Sequence, residues 1–115
     1  MPSDMDAYGD GAFGAVFVDP TSEDNEACKG YAACWSIDVW SGAECPEGIT
    51  LSLTVYDGPG DDADAPVLST LTQTEAPSGG VAAGSVTHMM ATTSGEGATS
   101  DTLSVTLDDV GCADL

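Results

Sequence analysis

Between Gly48 and Gly58 the chain reads Ile-Thr-Leu-Ser-Leu-Thr-Val-Tyr-Asp, and this stretch narrows the choice of fold more than any other. Ile49, Leu51, Leu53 and Val55 fall on one side of an extended backbone, while Thr50, Ser52, Thr54 and Tyr56 fall on the other. A period of two, β-branched and aromatic types, and a closing Asp-Gly turn signal specify a strand whose aliphatic face lies on a core.

The same alternation recurs along the chain. Residues 31–40 put Trp35, Ile37 and Val39 on one face and Cys34, Ser36, Asp38 and Trp40 on the other. Residues 102–109 put Leu103, Val105 and Leu107 inward, with Ser104, Thr106 and Asp108 outward. Residues 12–18 make a first strand, weakened at Gly14 and stopped by Asp19-Pro20. Residues 67–74 alternate poorly and predict a short edge strand, and residues 85–91 predict one more. Segments rich in Gly, Pro, Ser and Asp separate these runs. Residues 21–30 read as an acidic loop, and no helical periodicity or internal repeat is present.

Six short strands without a helix predict one all-β domain over residues 12–115, an antiparallel β-sandwich behind a flexible leader at 1–11. Strands 31–40 and 49–56 are expected at its centre, joined by a hairpin-like return through residues 41–47. The expected core is Trp35, Ile37, Val39, Ile49, Leu51, Leu53, Val55, Leu103, Val105 and Leu107.

Charge excludes whole classes of partner. Asp and Glu number 20 against one basic side chain, Lys29, for a net charge of −19. Nothing here can neutralise nucleic-acid phosphates, and an anionic membrane surface is disfavoured for the same reason. A domain this size has a radius of gyration of about 13 Å, comparable with the screening length of about 8 Å at physiological salt. The charges therefore repel one another, so salt or divalent cations are expected to stabilise the fold. No run approaches the ~20 apolar residues of a membrane span, and Met1-Pro2-Ser3-Asp4 is not a signal peptide.

The four cysteines, Cys28, Cys34, Cys45 and Cys112, predict two disulfides and an extracytoplasmic, oxidising compartment. Their gaps of five, ten and sixty-six residues fit neither zinc pairs nor a Cys-x-x-Cys redox couple. If six strands alternate up and down, Cys28 and Cys34 share one end of the sandwich and Cys45 and Cys112 the other, which favours those pairings. A further strand between residues 74 and 102 would reverse that parity and favour Cys28 with Cys112.

Chemistry-bearing groups are sparse. His88, the one histidine, lies on an expected strand, and no Gly-x-Ser-x-Gly surrounds any serine. A catalytic role would require a cleft that brings a carboxylate to His88. Asp57, Asp61, Asp62 and Asp64 share a glycine-bearing loop and offer the hard oxygens that calcium takes, although the spacing is not that of an EF-hand. Glu23, Asp24 and Glu26 form a weaker acidic cluster of the same kind. Trp40 and Tyr56 point outward and could stack on carbohydrate, but they sit near opposite ends of strands expected to be neighbours.

Leu53-Thr54-Val55-Tyr56-Asp57-Gly58 resembles the signature of FxLYD-type domains, immunoglobulin-like sandwiches of bacterial lipoproteins and secreted proteins. The similarity extends loosely over residues 31–112, through Ile37-Asp38-Val39, a Pro-x-Gly turn at Pro77 to Gly79, and Leu103-Ser104-Val105 ahead of Cys112. Leu53 stands where that family has phenylalanine, and the loop after Gly58 is longer. The resemblance implies an extracytoplasmic, non-catalytic module with an immunoglobulin-like arrangement, for which six to seven strands are expected; no cofactor is expected, with calcium on the Asp57 to Asp64 loop as the possible exception. The expected function is structural or protein-interacting, with an unidentified protein or cell-surface partner; binding of calcium or carbohydrate is the alternative.

Overall fold

The computed structural model describes residues 2–60, 64–100 and 102–113. These form two antiparallel sheets packed face to face. One has the order β1 (Asp6–Tyr8), β2 (Phe13–Val18), β3 (Ala33–Ser41), β6 (Ser85–Thr93); the other has the order β5 (Val67–Glu75), β4 (Ile49–Tyr56), β7 (Ser104–Cys112). A short helix, α1 (Ser22–Ala27), lies between β2 and β3. Disulfides join Cys28 to Cys34 and Cys45 to Cys112, so the chain is a disulfide-braced all-β sandwich. No helix among the described residues is long and apolar enough to cross a membrane.

Alternation explains the core. Ile37 and Val39 of β3 and Ile49, Leu51, Leu53 and Val55 of β4 are at most 1% exposed, and they meet across the two layers. Phe13, Ala15, Met89, Ala91 and Val110 complete the packing.

The expected hairpin between residues 31–40 and 49–56 does not form. β3 pairs with β2 and β6, whereas β4 pairs with β5 and β7. Residues 42–48 instead carry the chain from one sheet to the other, with Cys45 and Val81 forming an isolated bridge at the crossing. Gly48, at φ 95°, packs so closely that a Cβ there would lie 2.2 Å from the Glu75 carbonyl oxygen, a position only glycine can occupy. β5 is an edge strand, as its poor alternation predicts.

Four further expectations change. Within the leader, Asp6–Tyr8 pairs with β2 and so belongs to the sheet. Within the acidic loop, Ser22–Ala27 is helical because Thr21 and Asp24 form a capping box: the Thr21 hydroxyl accepts from the Asp24 N–H at 3.1 Å and the Asp24 carboxylate accepts from the Thr21 N–H at 3.0 Å. Within the core, Trp35, Leu103, Val105 and Leu107 are only partly covered. β7 also runs three residues past the expected end at Asp109, through a bulge opposite Ser52 and Leu53. The bulge shifts the inward phase by one residue, which places Val110 in the core at 2% exposed.

Candidate functional site

Strand register creates the most concentrated group of polar side chains. β3 and β6 align Asp38 with His88, on the outer face of the first sheet, where α1 brings Asp24 over them. His88 Nδ1 lies 2.6 Å from Asp38 Oδ1, and its Nε2 lies 2.6 Å from Asp24 Oδ2. The Ser36 hydroxyl donates to the same Asp24 oxygen at 2.8 Å. Carboxylates on both ring nitrogens call for a proton on each, so the ring is held as an imidazolium. The hydrogen bond to Asp38 chiefly, and then that to Asp24, raises the His88 pKa above 6.5. The Thr21 backbone N–H, followed by His88 and Ser36, lowers Asp24 to about 2.

With both nitrogens engaged by carboxylates, His88 offers no free lone pair with which to act as a general base. Ser36 bonds to Asp24 rather than to the imidazole, so it is not an activated nucleophile. The carboxylates expected of an active site are present, but the hollows described below are not lined by His88. Chemically the cluster is a clamp that fixes α1 to the sheet.

The clamp predicts an unusual pH profile. His88, with its pKa raised on folding, contributes stability fully below 6.5, and the contribution disappears as pH rises through the folded value. Asp24, lowered on folding, contributes above 3.8 and loses its contribution as pH falls toward about 2. Both act together between those ordinary values. Urea midpoints are therefore expected to fall from about pH 5 to about pH 9, an interval in which few other groups of this chain titrate. His88→Gln should flatten that fall, and an unchanged slope would show that the ring is not held as a cation.

The proposed calcium loop is organised differently. Asp57 follows β4 and accepts from the Thr99 N–H at 3.0 Å, the Thr99 hydroxyl at 2.8 Å and the Ser100 N–H at 2.8 Å. These bonds tie the β4–β5 connection to the β6–β7 connection, and the Thr99 N–H above all lowers Asp57 to about 2. Asp64 is exposed on the same connection, and Asp61 and Asp62 lie outside the described residues. Among the described residues no group of three or more His, Cys, Asp or Glu side chains is arranged to hold a metal.

The weaker acidic cluster diverges: Asp24 turns inward to His88, whereas Glu26 pairs with Lys29 at 2.9 Å and Glu23 stays exposed. Trp40 and Tyr56 are not on neighbouring strands, as expected, but on opposite sheets. Trp40 is paired across the strands with Val86, and Tyr56 lies 3.4 Å from the Thr106 hydroxyl. They share no sugar-binding platform.

Alternation alone does not reveal the remaining feature, an open side of the sandwich. Between β2 and β7 the layers gape into a groove of about 350 Å³, walled by Phe17, Trp35, Leu103 and Val105. A second hollow of about 240 Å³, walled by Asp6, Tyr8, Ala15 and Leu107, continues it, and Phe17 lines both. Phe17 pairs with Ile37 and so faces inward, yet it is 44% exposed. On the opposite side, a larger groove of about 460 Å³ lies between β5 and β6, lined by Tyr31 and Leu71 together with Ser, Thr and Glu side chains.

Fold and braces together define the class, a two-disulfide antiparallel sandwich. No family model, curated protein or solved structure matches the chain.

Proposed function

We propose that this chain is a non-catalytic module of a secreted or surface-attached protein, working outside the cytoplasm, and that it acts by binding another protein along the open side between β2 and β7. The observation that carries the proposal is Phe17, an inward-facing aromatic left 44% exposed in an apolar groove. Apolar surface left in water forgoes ~25 cal/mol per Å², which a partner covering Phe17 would recover. Two disulfides support an oxidising compartment. The likeness to FxLYD-type domains supports the same compartment and the absence of catalysis.

A photo-crosslinking side chain in place of Phe17, introduced in the cells that make the protein, is expected to trap a discrete protein adduct. The same group in place of Thr72, exposed on β5, is expected to trap none. Matching adducts from the two positions would overturn the proposal.

The proposed role needs no calcium, since the Asp57 carboxylate already accepts from Thr99 and Ser100. Melting temperatures in calcium and in sodium at matched ionic strength are expected to coincide. A rise with calcium, by mass action, would place an ion in the loop.

A further inference from the structure

The open side has the strand order and charge of a place for one more strand. β1 and β2 extend the first sheet to four strands, while the second sheet stops at β7, which among the described residues pairs only with β4. The second sheet is thus one strand narrower than the first, and among the described residues no strand pairs with the free edge of β7. A strand there would lie ~4.8 Å beyond β7, beneath Phe17, and would complete two sheets of four. The geometry points to strand addition: β7 takes on an extended segment of a partner protein, with apolar residues at alternate positions and lysine or arginine among the others. This inference rests on the protein-binding role proposed above and specifies what part of the partner is bound.

Both halves of that chemistry can be read from the walls. Phe17, Val105 and Leu107 face inward and are incompletely covered, so every second residue of the added strand would meet apolar surface. The unpaired backbone groups of an edge strand supply the remaining recognition. Charge then selects the partner. Asp6 lines the lower hollow, and β7 carries Asp108 and Asp109. Asp6 and Asp108 both lie close enough to Tyr8 to help burial raise its pKa above 10. Lys29, the single basic residue apart from His88, is paired with Glu26 beside α1. A second copy, bringing a charge of −19 and its own acidic edge, is repelled, whereas a basic strand is attracted.

Fluorescent peptides matched to the nine residues of β7 test this against the full chain at physiological salt. One alternates isoleucine or valine with lysine, a second has the same composition with its apolar residues in one block, and a third has glutamate for lysine. The alternating basic peptide is expected to bind at least about tenfold tighter than either control. It should slow hydrogen exchange in β7 and leave β5, the opposite edge of that sheet, unaffected. Phe17→Ser should weaken binding about tenfold, as the loss of a central aromatic contact does, and Asp6→Lys should weaken it with the apolar walls intact.

Equal binding by the alternating and blocked peptides, protection at β5 instead of β7, or dimerisation of the chain through β7 would each overturn strand addition. If photo-crosslinking at Phe17 still traps a protein when no peptide protects β7, the protein-binding role stands and strand addition falls.

Discussion

Replacing Cys45 and Cys112 together by alanine is expected to lower the unfolding free energy by about 4 kcal/mol, the chain-entropy value for a cross-link over 67 residues. The same change at Cys28 and Cys34, which are 6 residues apart, should lower it by about 2 kcal/mol. Position reinforces length. Cys45 lies in the crossing between β3 and β4, bridged to Val81, and Cys112 ends β7, so this disulfide joins the segment between the sheets to the last strand. Cys28 and Cys34 join only the end of α1 to the start of β3. At 4–8 °C per kcal/mol for a small domain, the Cys45/Cys112 variant should melt roughly 15 °C or more below the native protein. Urea titration of both double variants measures the difference directly. Equal losses would mean that loop length does not set the stabilisation, and a larger loss at Cys28 and Cys34 would move the main brace to α1.

Which residues form strands was legible because alternation is a local property. Which strands are neighbours was not, because a period of two specifies a face and says nothing about the strand alongside. Ile37 and Leu51 present the same pattern whether β3 and β4 lie side by side or face each other across the core, and the structure takes the second arrangement. The cysteine pairing escaped this ambiguity because it depends on strand direction alone, and β1 precedes the other strands without changing their parity. α1 is too short for a 3.6-residue period to show; its signal was Thr21 three residues before Asp24. Val110 was hidden by the bulge, since strict alternation from Leu103 to Leu107 places even-numbered residues outside. The clamp on His88 joins residues 64 apart in sequence, and only the register of β3 against β6 reveals it. Asp57 was legible only as one of several loop carboxylates; the donors it accepts from, Thr99 and Ser100, come from a distant turn that counting acidic residues does not bring in.

Truncating Leu51 and Leu107 to alanine separates a closed core from an open one. Leu51 is fully buried in the central strand, so Leu51→Ala removes the transfer free energy of the lost carbons and leaves a cavity that neighbouring strands cannot fill, a loss of about 3–4 kcal/mol. Leu107 occupies the same inward phase on β7 and pairs with Leu53, but it borders the hollow beside Phe17 and is only half-buried. Water already reaches it and no enclosed void would form, so Leu107→Ala should cost about 1 kcal/mol, near the centre of the distribution for single substitutions. Chemical denaturation of both variants, with m-values checked for a constant unfolded state, gives the ratio. A ratio near one would mean that β7 is covered as fully as β4 and that the groove does not exist in solution. A large ratio that falls when the alternating basic peptide is present would show Leu107 becoming core as the peptide takes its place beside β7, since a residue contributes to stability only in proportion to the water it loses.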